Sequence, residues 1–192
     1  MKKGKHHATE TSYLVRSTYG VWKICVSGGK ISRIGLPSSP PRGRRTFKWL
    51  GISQRNDGAS INGKVPPVLD RLMTQIGQYF AGERERLIVP LVLREDSRFL
   101  KRVWNRMRRI PFGKTISYGE LADSADSPGA CRAVGNVCAA NPLPLLIPCH
   151  RVVGKRGLGG FSAGLGWKRF LLSLETRAGT PGKIPSCVGR RE

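Results

Sequence analysis

Hydrophobic and polar residues alternate along the first part of the chain with the two-residue period of a β-sheet. Three short runs rich in β-branched and aromatic residues cover residues 12–16, 19–26 and 30–36. Gly20 and the triplet Ser27-Gly28-Gly29 separate these runs, and glycine at such breaks is typical of hairpin turns. The pattern therefore predicts three consecutive strands joined by short turns.

An amphipathic helix is predicted to follow the strands. Residues 37–45 and 54–67 are rich in proline, glycine and polar residues and are predicted to be loops. Residues 68–80 repeat hydrophobic side chains at helical spacing, and Gly82 ends the pattern. This part of the chain has no catalytic constellation, so residues 1–95 are predicted to form an N-terminal α/β support domain.

Helical spacing dominates after residue 95. Residues 97–109 place their hydrophobic side chains on one face of a predicted helix. Ser117 and Glu120 have the spacing of a capping box, in which the two residues satisfy each other's backbone donors at a helix start. They predict a helix over residues 118–124.

The second helix of this pair is predicted to begin at Ser127-Pro128 and to run to Ala140. Two short capped helices joined by a brief turn are typical of a helix-turn-helix. Arg132 is the only charge of the second helix, whereas a major-groove helix presents several long polar side chains. This composition favours close approach to a DNA backbone or to the minor groove; a buried helix packed through its small residues is the alternative.

The net charge of the chain indicates which class of partner it binds. The 192 residues include 34 Lys+Arg against 12 Asp+Glu, a formal net charge of +22, and 39% are hydrophobic. Such an excess of positive charge favours a polyanionic partner, nucleic acid before membrane. The sequence has no signal-peptide pattern and no run of roughly 18 hydrophobic residues. We therefore expect no membrane partner, and a cytoplasmic protein associated with the nucleoid.

One of the five cysteines has an unusual setting. The cysteines have irregular spacing without a C-x-x-C pair, and the three histidines add no ligand spacing, so no metal or cofactor is expected. Cys149 follows Pro142, Pro144 and Pro148, which restrict the backbone and predict an extended, stiff approach. Such an approach fixes a thiol in space; a buried, inert cysteine is the alternative.

Two other residues are candidates to ionise this thiol. A free cysteine has a pKa of about 8.5, and His150 is placed to accept its proton directly or through water. Glu175 is the only acidic residue after His150 apart from Glu192, and helical spacing puts it on the side of Leu171. Cys149, His150 and Glu175 are therefore predicted to form a proton relay. A solvated glutamate at a helix end is the alternative.

Three segments together resemble a known family. The segments IPFGKTISYGELA, RAVGNVCAANPLPLLIPCHRVV and GLGGFSAGLGWKRFLLSLE are similar to the O6-alkylguanine-DNA alkyltransferases, also called methylated-DNA–protein-cysteine methyltransferases. The resemblance is close over residues 98–177, with PCHRV its most specific element, and it extends more loosely through the segment RLMTQIGQYFAGERERLIVPLVL. It implies an α+β protein with an N-terminal α/β ribonuclease-H-like domain, residues 1–95, and a C-terminal winged helix-turn-helix domain, residues 96–177. Residues 178–192 lie outside the match and are expected to be disordered.

The resemblance also implies direct reversal of DNA damage. An alkyl group would move from O6 of guanine, and from O4 of thymine, to Cys149, and the protein would be consumed in a single turnover. The expected partner of the monomer is double-stranded DNA, bound through the minor groove, with the alkylated guanine flipped out of the stack. A non-catalytic lesion-binding module and a cysteine hydrolase are the alternatives.

The resemblance assigns DNA contacts by position. Arg132 is expected to be the finger that fills the gap left in the base stack. Ala133, Gly135 and Asn136 are its expected neighbours at the DNA. Tyr118 is expected to help rotate the nucleotide and to donate to guanine N3.

It assigns the pocket in the same way. Asn141 is the expected hinge side chain between the second helix and the cysteine loop. The backbone carbonyls of Cys149 and Val152 are expected to accept from the guanine amino group, and the backbone N–H of Ser162 to face O6. The expected pocket walls are Pro144 and Phe161, the latter standing where some members have tyrosine.

Overall fold

The computed structural model describes residues 9–41, 46–54, 65–93 and 97–178. The N-terminal part is an antiparallel sheet of four strands, which are β1 (Glu10–Ser17), β2 (Gly20–Ser27), β3 (Lys30–Gly35) and β4 (Trp49–Gln54). Their order in the sheet is β3-β2-β1-β4. The three predicted strands and both hairpin turns are confirmed. The fourth strand, β4, was not predicted.

The predicted amphipathic helix covers one face of this sheet. It is α1 (Pro67–Ala81), and it ends where Gly82 takes the left-handed conformation with φ of 80°. Its buried face holds leucine, isoleucine and aromatic side chains that join the common core. The indole N–H of Trp49 donates to the carbonyl of Met73 at 2.7 Å, which ties β4 to the helix.

The C-terminal part is mainly helical, as predicted. The capping box is confirmed, because Glu120 N donates to Ser117 Oγ at 3.1 Å and Ser117 N donates to Glu120 Oε2 at 2.6 Å. The elements are α2 (Arg98–Met107), β5 (Ile116–Ser117), α3 (Tyr118–Ser124), α4 (Cys131–Ala139), a 3-10 turn (Cys149–Arg151), β6 (Val152–Val153) and α5 (Leu165–Ala178).

The predicted start of the second helix is wrong. Helix α4 begins at Cys131, after Ala130, which provides no side-chain cap. The Ser127 hydroxyl donates to the carbonyl of Ala125 at 3.3 Å instead of capping a helix. Gly129 has φ of 79°, a left-handed conformation that interrupts helical geometry between Pro128 and the helix.

The two parts of the chain share one hydrophobic core. Ile34 N on the edge strand β3 donates to the carbonyl of Pro142 at 2.8 Å, and the Trp167 indole donates to the carbonyl of Pro37 at 2.7 Å. The rings of Trp22 and Trp167 meet at a centroid distance of 6.1 Å. The sheet therefore supports the loop that carries Cys149.

Several predictions fall partly or wholly outside the described residues. The division between residues 95 and 96 lies in the undescribed segment 94–96, and the tail beyond 178 is also undescribed. The predicted loops 37–45 and 54–67 are described only in part. Among the helices that are described, none combines the length and hydrophobicity needed to cross a bilayer.

Candidate active site

The loop before Cys149 is a compact turn, not the extended approach predicted from its prolines. Ile147 N donates to the carbonyl of Leu143 at 2.8 Å, and Leu145 has φ of 74°. Proline fixes its own φ and biases the residue before it. Leu145 follows Pro144 and is free of that bias, so the chain can reverse there. The thiol is still held rigidly, by a turn.

Asn141 fastens this turn from inside. Its buried amide Nδ2 donates to the carbonyl of Ile147 at 2.8 Å and to Cys149 Sγ at 3.0 Å, while Oδ1 accepts from Leu143 N at 3.0 Å. A single side chain thus uses both amide hydrogens and the amide oxygen. The predicted hinge residue therefore joins the end of α4 directly to the sulfur.

The thiol of Cys149 faces a cavity of about 210 Å³. Two of the predicted pocket residues, Phe161 and Ser162, line this cavity, whereas Pro144 and Val152 are buried and do not line it. Cys149 itself is 3% exposed. The full lining consists of Tyr118, Gly135, Cys138, Ala139, Cys149, Gly160, Phe161 and Ser162.

The thiol is protonated in the resting protein. Burial raises the pKa of Cys149, and the Asn141 amide and the Lys168 ammonium group offset only part of this effect. The cavity also contains the thiol of Cys138, which is weakly acidic too, because burial and the nearby Cys149 raise its pKa to about 12. The site therefore needs a proton acceptor before Cys149 can act as a nucleophile.

Glu175 is the centre of a buried hydrogen-bond cluster. Its carboxylate is fully buried and accepts from Tyr79, His150, Arg151 and the backbone N–H of Gly113. Burial raises the pKa of Glu175, but the hydrogen bonds and charges of His150 and Arg151 outweigh burial and lower it to about 2. Glu175 is therefore ionised and paired, which contradicts the alternative of a solvated glutamate at a helix end.

His150 links this cluster to the region of the thiol. Its Nε2 lies 2.8 Å from Glu175 Oε1, and its side chain is 1% exposed. Burial lowers the pKa of His150, although Glu175 raises it in part. A neutral imidazole whose Nε2 donates to Glu175 leaves Nδ1 as the acceptor. Nδ1 is buried without a hydrogen-bond partner among the described residues.

The predicted relay requires two contacts, Cys149 to His150 and His150 to Glu175, and the structure contains the second of them. His150 and Glu175 are in direct contact. Among the described contacts, Cys149 Sγ is hydrogen-bonded to Asn141, and no direct bond joins it to the His150 ring. A proton could pass from sulfur to Nδ1 only after a small movement or through a water molecule.

Arg151 is a site residue that the sequence analysis missed. Its guanidinium group binds both oxygens of Glu175, with Nη2 2.8 Å from Oε1 and Nε 3.0 Å from Oε2. It also donates to the carbonyl of Ile110 at 2.7 Å and lies over the ring of Phe112. These bonds from Arg151 hold the Glu175 carboxylate in the orientation in which it meets His150 Nε2.

Lys168 is the second missed residue. It is fully buried, and Nζ donates to the carbonyls of Val152 at 2.6 Å and Gly160 at 3.0 Å. Burial lowers the pKa of Lys168 to about 8. Lys168 lies seven residues before Glu175 on α5, so the helical spacing that placed Glu175 inward could also have indicated Lys168.

Helix α4 has its small residues at the surface. Its buried side chains are Val134, Val137 and Cys138, whereas Arg132, Ala133 and Asn136 are exposed. The alternative of a helix buried through its small residues is therefore wrong. Tyr118, also predicted to contact DNA, is half-buried at the cavity. The predicted DNA-contacting residues thus lie on α4 and beside the cavity.

Comparison with known proteins gives a family match over the C-terminal part of the chain. The model of the 6-O-methylguanine DNA methyltransferase DNA-binding domain matches residues 98–177. A methylated-DNA–protein-cysteine methyltransferase of Mycolicibacterium paratuberculosis is 48% identical over 104 residues, which are 54% of this chain and 62% of that protein. The aligned region thus spans less than two thirds of that relative.

Two solved structures from Mycobacterium tuberculosis are similar over most of their length. The crystal structure of OGT in complex with DNA has a TM-score of 0.68 and 32% identity, covering 86% of this chain and 93% of that chain. The structure of O6-methylguanine methyltransferase has a TM-score of 0.69 and 30% identity, with coverage of 91% and 97%. The mixed α/β fold is therefore shared with these proteins.

Proposed function

The chain belongs to the methylated-DNA–protein-cysteine methyltransferase family, and we propose that it repairs DNA by moving an alkyl group from O6 of guanine to Cys149. The observation that carries this proposal is the thiol of Cys149, which faces a cavity and is held by Asn141 beside the buried His150–Glu175 pair. This arrangement lies within the part of the chain that matches the family.

In the proposed reaction the sulfur forms a bond to the alkyl carbon while the bond from that carbon to O6 breaks. The thiol proton moves to Nδ1 of His150, directly or through water, and Glu175 stabilises the imidazolium. The electron pair of the broken bond stays with guanine. The hydroxyl of Tyr118 gives its proton to N3, so that the guanine leaves neutral, and the proton held by His150 then returns the Tyr118 oxygen to a hydroxyl.

The product explains why the protein would act once. A thioether is chemically stable, and nothing in the proposed reaction restores the thiol. Each molecule would therefore accept one alkyl group, with no cofactor. The same chemistry applies to O4 of thymine, because that oxygen is also joined to an aromatic ring that can leave.

The proposed substrate is double-stranded DNA, approached through the minor groove by a monomer in the cytoplasm. The target base has to leave the duplex to reach a thiol that is 3% exposed. The exposed small side chains of α4 permit close approach, and Arg132 is proposed to occupy the space that the base leaves. A formal net charge of +22 favours the phosphate backbone.

The proposed architecture follows the family. Residues 1–95 would form the ribonuclease-H-like support, and residues 96–177 the winged helix-turn-helix domain. In the pocket, the carbonyls of Cys149 and Val152 would accept from the guanine amino group. The Val152 carbonyl already accepts from Lys168, and a carbonyl oxygen can accept two hydrogen bonds.

The test is transfer of isotope from duplex DNA that contains O6-[³H-methyl]guanine to the protein. We expect the label to become covalently bound to the protein, up to one equivalent per protein molecule. Binding without label transfer would indicate a lesion-binding module. Continuous release of label into solution would indicate a hydrolase.

A further inference from the structure

Tyr79 reaches the candidate site from the N-terminal part, before residues 98–177 that match the family's DNA-binding domain. It lies on α1, 2% exposed, and its hydroxyl donates to Glu175 Oε1 at 2.6 Å. Of the described residues that hydrogen-bond to Glu175, Tyr79 alone precedes residue 98, where the family match begins. The N-terminal part thus contributes a polar group to the cluster behind His150.

The Tyr79 hydroxyl and His150 share one carboxylate oxygen. Glu175 Oε1 accepts from Tyr79, lies 2.8 Å from His150 Nε2, and lies 2.8 Å from Arg151 Nη2. Each donor draws negative charge from that oxygen, so each weakens the attraction that the others feel. The hydroxyl therefore moderates the electrostatic effect of Glu175 on the imidazole.

The geometry of Tyr79 is fixed. Its ring packs edge-on against Phe80 and Phe112, at centroid distances of 5.5 Å and 5.8 Å. Burial, and next the charge of Glu175, raise the pKa of Tyr79 well above its ordinary value. The hydroxyl keeps its proton throughout the range in which the protein works and remains a donor.

We propose that Tyr79 is a positioning residue for proton transfer from Cys149: its hydroxyl orients Glu175 Oε1 toward His150 and keeps the imidazole neutral, ready to accept. This inference rests on the proposed function, because it gives the hydroxyl a role in that reaction. It also assigns the N-terminal part a role in the chemistry, beyond support.

The expected effect of losing the hydroxyl has a definite sign. His150 faces Glu175 and Lys168 on α5 and Arg151 on its own turn, and burial, Arg151 and Lys168 all lower its pKa. Glu175 raises it. Without the hydroxyl, Oε1 carries more negative charge and stabilises the imidazolium better. The pKa of His150 then rises, and a smaller fraction of the imidazole is neutral at a given acidic pH.

The experiment compares the full-length wild type with Tyr79→Phe and with Tyr13→Phe. Tyr13 is also a buried tyrosine, 8% exposed on β1, and serves as the matched control. The rate of alkyl transfer is measured against pH, down to the lowest pH at which each protein stays folded. In parallel, the ring ¹⁵N shifts of His150 report its protonation over the same range, with His150→Gln used for assignment.

We expect Tyr79→Phe to move the acid limb of the rate profile, and the His150 titration, upward by about 0.5–1 pH unit. Tyr13→Phe should leave both unchanged. If Tyr79→Phe lowers the thermal midpoint but leaves both profiles in place, Tyr79 only packs the core and the inference is wrong. A downward shift would also contradict it. A wild type that transfers no alkyl group would refute the proposed function, whereas the His150 titration would still show whether the hydroxyl acts on the imidazole.

Discussion

Asn141 Nδ2 donates directly to Cys149 Sγ at 3.0 Å, so a side chain two residues after the end of α4 is hydrogen-bonded to the candidate nucleophile. The same amide also binds the carbonyl of Ile147 and the backbone N–H of Leu143. The end of a helix proposed to lie against DNA and the sulfur proposed to accept the alkyl group are therefore one rigid unit. Contact with DNA and the position of the thiol cannot change independently.

Removing this amide should affect both stability and acidity. Asn141→Ala leaves Leu143 N buried without its partner and removes one of the two hydrogen bonds to Ile147 O, and we expect a loss of roughly 1–3 kcal/mol in the free energy of unfolding. The pKa of Cys149 should rise, because the amide lowers it. Chemical denaturation and the pH dependence of thiol alkylation measure the two effects. Asn136→Ala, at an exposed position of α4, is the control and should change neither.

We expect the free energy of unfolding to decrease at low pH because of Glu175. Its folded-state pKa of about 2 lies below its ordinary value of 4.5, so its contribution is fully present above pH 4.5. That contribution is lost as the pH falls from about 4.5 to about 2, and it amounts to on the order of 3 kcal/mol. Denaturation at a series of pH values should show this loss in the wild type.

The matched variant for this experiment is Glu175→Gln, which keeps the shape of the side chain. It should be less stable at neutral pH, since Arg151 is left buried without its counter-charge. Its stability should fall less steeply between pH 4.5 and pH 2. If Glu175→Gln loses as much stability as the wild type between pH 4.5 and pH 2, groups other than Glu175 cause that loss.

The sequence predicted the parts of the site that depend on local chemistry. The capping box of Ser117 and Glu120 fixes the start of α3, so its bounds were predicted as observed. The inward position of Glu175 follows from helical spacing alone. In both cases the controlling atoms lie within a few residues of each other in the chain.

Contacts between residues far apart in the chain, and left-handed backbone conformations, could not be predicted from the sequence. Tyr79 lies far from Glu175 in the chain, and no pattern in α1 indicates that its hydroxyl meets a carboxylate. The left-handed Gly129 moved the start of α4 past Ser127-Pro128, and the left-handed Leu145 made a compact turn of a proline-rich loop. Strand β4 depends on its pairing with β1, which short-range alternation does not reveal.

We expect Arg132 to affect the flipping of the base out of the duplex more than the affinity for DNA. We expect Arg132→Ala to reduce the transfer rate on duplex DNA at least tenfold, because the space left by the flipped base is no longer filled. The free alkylated base needs no flipping and should react nearly as before. The measurement is the ratio of the two rates in the wild type and in the variant.

The control for Arg132 is Arg33→Ala, which removes the same charge from an exposed position on β3. It should leave both transfer rates unchanged. Each variant should alter the dependence of log affinity on log salt by no more than about one phosphate contact, a slope of about 0.9. Equal losses on duplex and free base would show that Arg132 supports the pocket and is not a finger.

The most direct test of the central claim is the mass of the protein after reaction with excess duplex DNA that contains O6-methylguanine. We predict that each molecule gains the mass of one methylene unit, found by peptide mapping on Cys149 and not on any of the other four cysteines. We also predict that Cys149→Ala gains nothing while still binding the duplex. A methyl group on another residue, or a Cys149→Ala protein that still becomes methylated, would contradict the assignment of Cys149 as the acceptor.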